Sequence, residues 1–454
     1  MGRDILALDV GTSGLKAGVY SSELVERVVV SRSYDIRVDG ARAEGTPDDW
    51  WSAIAAACAE IRPHLEGVGV VTMGVTTPGL TPMAPDGRAL GPAILMLDGR
   101  SHAQAAAIRA AYGEERFLEE ACNLPVSGGS SLASILWIRD EQPELWAETA
   151  VFGHANTYVV KRLTGEWVID PSTTSITGLY ATARNDLTWN EGVLEAPGIE
   201  PELLPKLMQS YDPAGEILPA VADELGLPRD AVVLCGGNDA SLAALSGGLS
   251  DPGDANIISG TTDIANVCTE RPIATRDFNV RCHVIPGRWL TFFVLNTGGM
   301  AYDWFWRNFC RELSADDFYG SYLPDVLDTF LAADDIDERE AGLPTYVPYL
   351  SGSRYSLEPL TASFSGVSLG TTREELLVAV IRGNLSYVGG HFGDVADSVE
   401  VNRTVGISGG AARIRGMLDA RRRWTGDFDY RFQDQSSMLG AAMLGQVYQR
   451  GDTT

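Results

Sequence analysis

"LALDVGTSGLKAGVY", residues 6–20, is an apolar alternating run broken by a turn that carries one acid, Asp9, and one base, Lys16, around Gly11, Thr12, Ser13 and Gly14. Residues 4–10 and 15–20 read as two strands joined by this glycine-rich turn, a hairpin signal. On the motif alone two readings stand: a hairpin with a capping aspartate, or a turn shaped to hold a ligand.

The pattern returns half a chain later. After a Gly, Ser, Pro and Asp cluster at 246–254, "ANIISGTTDIANVC" (255–268) again runs from an apolar strand through a Gly-Thr turn into a second strand. The repeat predicts two domains on one plan, 1–250 and 251–454, each presenting its turn to a shared cleft. Strand-like runs at 67–77 and 232–237 alternate with helix-like stretches at 48–61, 101–113, 301–310 and 373–388, an α/β or α+β mixture. In "DDWW" the acids suit a first helical turn, with Trp50 and Trp51 packing inward.

A chain of 454 residues, 45% apolar and 21% charged, can bury two or three cores. Six scattered cysteines without a C-x-x-C pair predict neither a disulfide framework nor a zinc site. A formal charge of −26 disfavours nucleic acid and anionic membrane as partners, so any phosphate must be gripped locally. Without a long apolar run or a basic-apolar leader, the expected location is the cytoplasm. The acidic stretch within 314–340 reads as a solvated helix face. His102, His154 and His391 lack a second ligand at metal spacing, and Tyr302, Trp304, Phe305 and Trp306 read as core at helical spacing.

A phosphate chain held away from water needs backbone N–H groups, hydroxyls and a cation. Gly11, Thr12, Ser13 and Lys16 offer these, with Asp9 able to hold Mg2+ through water; Gly260, Thr261 and Thr262 repeat the cradle. In "GISGGAARIRGML" Gly409 and Gly410, followed by Ala411, can present flat backbone to a purine, although a plain strand-to-helix turn uses glycines too. Asp239 in "GGNDA" follows an apolar strand and precedes a small-residue helix. It is placed either to accept a hydroxyl proton or to cap the helix, with Asn238 the competing cap.

These blocks, together with "RLTGEWVIDPSTTSITGLY" (162–180) and "VPYLSGSRYSLEPLTASFSGVSLGTTREELLVAVIRGN" (347–384), resemble the FGGY carbohydrate kinases in order and spacing over nearly the whole chain. The resemblance implies a two-domain actin/hexokinase-like, ribonuclease H-like α/β fold, with ATP and a sugar meeting in the interdomain cleft. It implies Asp239 as the catalytic base, Asp9 and Asp239 as candidate Mg2+ ligands, Asp9 to Lys16 and Gly260 to Thr262 as phosphate motifs, and Gly409 to Ala411 as the adenosine motif. Many members of that family are homodimers.

The match departs from the pattern in places. Ser134 stands where a lysine is usual, and Arg382 where an acid is. Relative to the xylulose-kinase pattern, Met96 and Leu97 replace Trp and Asn before Asp98 and Arg100, and "VTTPGLTP" replaces a Gly-Gln-Met-His-Gly loop. Asp98 and Arg100 are substrate-contact candidates against a structural-pair alternative, with Thr76 and Thr77 beside them. The expected acceptor is a ketopentose. The rivals are a polyol or deoxy-ketohexose acceptor, an inactive sugar or nucleotide sensor, and a bare ATPase.

Overall fold

The computed structural model describes residues 2–195, 198–353, 355 and 360–451. Arg354 and residues 356–359 of the 347–384 block therefore lie outside the described residues.

The opening run forms β1 (Asp4–Val10) and β2 (Gly14–Tyr20), an antiparallel pair with Asp9 opposite Lys16. β3 (Glu26–Ser33) extends the pair on one side. On the other side β4 (Val68–Val75) runs parallel to β1. A central strand covered on both faces must be apolar throughout, and β4 is buried along its whole length. The antiparallel β5 (Pro213–Glu216) and the parallel β6 (Val232–Leu234) complete the order β5-β6-β4-β1-β2-β3.

A second sheet repeats this plan. β7 (Ala255–Ser259) pairs antiparallel with β8 (Asp263–Thr269), which pairs with β10 (Trp289–Leu295); β9 (Asn279–Cys282) lies on the outer edge. β11 (Thr404–Ser408) runs parallel to β7, and β12 (Asp429–Phe432) parallel to β11. In both sheets a hairpin, β1–β2 or β7–β8, has its first strand flanked on the other side by a parallel strand, β4 or β11, and the repeated Gly-Thr turns occupy the same topological place.

Alternation along β1 divides its side chains between two cores. Leu6, Leu8 and Val10 pack with Trp50, Ile54 and Ala57 of α1 (Pro47–Glu60) and Tyr158 and Val159 of α2 (Ala155–Thr164). Ile5 and Ala7 face α3 (Asp239–Ser246), through Leu242 and Leu245. Asp9 shares the second face by the same parity, so its carboxylate lies toward the helix that begins at Asp239.

In the second half, Tyr302 and Phe305 of α4 (Gly298–Phe309) are buried while Trp304 and Trp306 pack partly buried against the same cluster, as the core reading expects. α5 (Arg373–Val395) starts with a Thr372–Glu375 capping box. Arg382 on it donates to Glu340 O (2.7 Å) and Pro344 O (3.1 Å), so its guanidinium ties the helix to a neighbouring loop. After Gly409 and Gly410 the chain makes a 3₁₀ turn at Ala411–Arg413, and only then α6 (Met417–Trp424). The last helix, α7 (Ser437–Arg450), returns across the 250/251 division to the first sheet, where Met438, Ala441 and Ala442 join the Ile5 and Ala7 core. All six cysteines are free and buried, and no described helix is long and apolar enough to cross a membrane.

Candidate active site

Both Gly-Thr turns are shaped by their own hydrogen bonds. Gly11 N donates to Gly14 O (2.9 Å), and the Tyr34 hydroxyl donates to Gly11 O (2.7 Å) while lying 3.0 Å from Gly14 O. With its carbonyls held from one side, the turn leaves Thr12, Ser13 and Lys16 exposed. In the second turn Gly260 N donates to Thr262 O (3.0 Å), and the start of α4 locks against it through Gly299 N to Gly260 O (2.8 Å). Gly299 must be glycine, because a Cβ there would stand 2.6 Å from Gly260 O.

Gly409 and Gly410 lie beside this turn, because Ser408 is the register partner of Ile258. Gly409 adopts φ +93°, and any Cβ would be driven into the Ser259 carbonyl, whereas Gly410 has open space around it. Ser259 also donates to Asp263 Oδ1 (2.9 Å) and accepts from Arg421 (2.6 Å), completing a buried Arg421–Asp263 ion pair at 3.3 Å. This anchor beneath the turn was not visible in the sequence, because its three members are separated by more than 150 positions or lie in ordinary strand and helix contexts.

Asp239 is the first residue of α3, and Asn238 takes the cap: its Oδ1 accepts from Ala240 N and Ser241 N, both at 3.1 Å. Asp239 Oδ1 in turn accepts from Asn238 Nδ2 (2.9 Å) and Ala240 N (2.7 Å), while Oδ2 makes no hydrogen bond among the described residues. Thr77 Oγ1 accepts from Asn238 Nδ2 (3.0 Å), and Thr76 Oγ1 lies 3.0 Å from Thr12 Oγ1. The loop after β4 therefore joins the first turn to Asp239.

Burial raises the Asp239 carboxyl to about 6; Arg281 opposes the rise and the nearby Asp9 charge adds to it. Asp9 is likewise pushed up by burial, against a hydrogen bond from Ser437 and the charge of Lys16. Two mutually repelling, partly desolvated carboxylates form a suitable donor set for a hard divalent cation, because Mg2+ is commonly held by one or two carboxylates with water and phosphate oxygens completing its shell. The exposed hydroxyls, Lys16 and the open space at Gly410 likewise fit a nucleotide's phosphates and base.

Between the halves opens a cleft of about 490 Å³, lined among others by Met96, Leu97, Ser127, Thr262, Arg281 and Phe292. Arg281, on β9, is over nine-tenths buried and lies 5.2 Å from the Phe292 ring centroid. Its apolar flanks in "FNVRCHV" carried no signal of a site.

Asp98 and Arg100 form the ion pair that the sequence reading set beside the substrate-contact alternative. Asp98 is buried, accepting from Ala43 N (2.8 Å) and from Arg100 Nε (2.8 Å) and Nη2 (2.7 Å), and Arg100 also binds Glu44 (2.6 Å). These bonds shape the loop that carries Met96 and Leu97, both of which line the cleft. His154 and His391 are buried core groups, each with Nε2 on a hydroxyl, Ser131 (3.0 Å) and Thr291 (2.9 Å), and Nδ1 without a hydrogen-bond partner among the described residues.

Residues 5–246 match the N-terminal domain of the FGGY family of carbohydrate kinases. The xylulose kinase of Escherichia coli (strain K12) is 27% identical over 97% of this chain and 89% of its own. The gluconokinase of Bacillus subtilis (strain 168) is 24% identical over 84% of this chain and 74% of its own. The crystal structure of xylulose kinase from Rhodospirillum rubrum aligns with a TM-score of 0.87 at 22% identity, covering 98% of this chain and 90% of that one. That likeness carries the two-domain actin/hexokinase-like fold.

Proposed function

The chain belongs to the FGGY family of carbohydrate kinases, and from that premise we propose that it transfers the terminal phosphoryl group of ATP to a primary hydroxyl of a small sugar, a ketopentose such as xylulose or ribulose. The family is one of sugar kinases, which implies ATP use and a divalent metal. The observation that carries the reading is Asp239, with one carboxylate oxygen pinned and the other uncommitted, joined through Thr77 and Thr76 to the first Gly-Thr turn.

Mg-ATP, when bound, supplies the transferable phosphoryl group together with partial neutralisation of its charge. The protein's part is positional and electrostatic. Asp239 Oδ2 accepts the proton as the acceptor's O–H bond breaks and its O–P bond forms, with ADP as leaving group. Thr12, Ser13 and Lys16 on one side, and Gly260, Thr261 and Thr262 on the other, meet phosphate oxygens. Asp9 and Asp239 would hold a divalent cation, which would supply charge neutralisation at the phosphates, and Gly409, Gly410 and Ala411 would form a floor for the adenosine.

The apolar Met96 and Leu97 side chains at the cleft favour, as a second reading, a deoxy-ketohexose or polyol. ADP release with Mg-ATP over ketopentoses, ketohexoses, 6-deoxy-ketohexoses, polyols and gluconate separates the acceptors. Strong turnover on one acceptor, reduced at least about 10³-fold in Asp239→Asn with nucleotide binding retained, is the expected result. Full turnover in that variant would remove Asp239 from the role of base. Silence across the panel, in a protein that binds ATP, would favour a sensor.

A further inference from the structure

Asp170 is a fully buried carboxylate with no cationic side chain paired to it among the described residues, placed directly behind the site. Its oxygens are satisfied by Ser172 N (2.9 Å), Ser172 Oγ (2.5 Å), Ser210 Oγ (2.8 Å), Thr173 N (3.3 Å) and Asn156 Nδ2 (3.4 Å). A serine hydroxyl has one proton, and Asp170 takes it. The remaining lone pairs of Ser172 Oγ are thereby directed outward, where one accepts from the backbone N–H of Asn238 at 2.9 Å.

The Asn238 side chain is fixed as firmly as its backbone. Its Oδ1 must face the two N–H groups it caps, since a flipped amide would set NH2 against them. The amide donors then fall on Asp239 Oδ1 (2.9 Å) and Thr77 Oγ1 (3.0 Å), with the Val75 carbonyl farther off at 3.4 Å. An N-cap requires only the acceptor, so these two donor contacts are surplus to helix capping.

We propose that Asn238 is a positioning residue for phosphoryl transfer: held by the Asp170–Ser172 pair, it orients the Asp239 carboxylate so that Oδ2 meets the acceptor hydroxyl. The inference rests on Asp239 acting as the base. Misplacement of a reacting group by about 1 Å costs on the order of 10²-fold in rate, so losing the bracket is felt in kcat while the binding surfaces remain.

Steady-state kinetics of Asn238→Ser, Ser172→Ala and Ser172→Thr test it, with Asp239→Asn alongside. Serine preserves an uncharged N-cap but removes the amide donors; threonine restores the hydroxyl that alanine deletes. Expected are a kcat loss of about 30-fold or more in Asn238→Ser and in Ser172→Ala, KM for ATP and acceptor within about threefold, and recovery of most of kcat in Ser172→Thr. If Asn238→Ser fails to fold, the Ser172 pair decides. Parental kcat in Asn238→Ser, or equal losses in the two Ser172 variants, overturns the positioning role while an inactive Asp239→Asn leaves the base standing. An active Asp239→Asn overturns the base and the bracket's role together.

Discussion

At Asp239 burial and, to a smaller extent, the Asp9 charge outweigh the opposing Arg281, lifting the carboxyl to about 6. A base works only when ionised, so kcat/KM falls as pH drops through about 6, approaching tenfold per unit below it. An exposed aspartate would hold its rate to about pH 4. A pH–rate profile of the free enzyme checks this, and an acidic limb near 4 would contradict it. Asp9, Lys16 and Asp239 were legible because strand ends and glycine turns have local signatures. Arg281 was not, since a single arginine inside a strand reads the same whether its neighbours across the cleft form a site or a surface. For Asp98 and Arg100 the sequence left substrate contact and structural pair open, because their partners Glu44 and Ala43 N lie more than 50 positions away.

Among the elements, the glycine turns separate backbone requirement from ligand requirement. Gly409→Ala places a β-carbon on the Ser259 carbonyl at a positive φ and should cost about 2 kcal/mol or more of stability, read as a lower denaturation midpoint. Gly410→Ala meets nothing within 4 Å, so its midpoint should stay near the parental value, while on the proposed adenosine floor its methyl takes up nucleotide space and KM for ATP rises. Equal midpoints for the two variants would sink this distinction. The strand–turn–strand repeat was readable at this scale because alternation and Gly-Thr punctuation are local. The 3₁₀ turn after Gly410 was not: Gly416 at φ +80° restarts the chain as α6, and nothing in the spacing marks that interruption.

For the molecule as a whole, contacts across the cleft hold the two halves in register. Asn123, from the first half, accepts from Val280 N (2.9 Å) and donates to Val280 O (2.7 Å), pairing like a strand residue with β9, next to Arg281. Asn123→Ala leaves both backbone groups without their partner, at about 1–3 kcal/mol each if water is kept out. The expected outcome is a higher KM for the acceptor and faster hydrogen exchange along β9, with KM for ATP little changed. Unaltered exchange at Val280 would show the contact to be dispensable.

The amino-acid sequence by itself determined the α/β class, the duplicated hairpin plan and the placement of the two Gly-Thr turns and Asp239, because each depends on periodicity and turn chemistry within some ten residues. Tertiary structure decided which charges are free to act and which are consumed: Asp98 with Arg100, Asp263 with Arg421, and Asp170 with Ser172 all acquire their roles from partners brought together by packing. It also decided that α7 closes the first sheet. Desolvation and pairing are properties of the folded neighbourhood, and no local pattern encodes them.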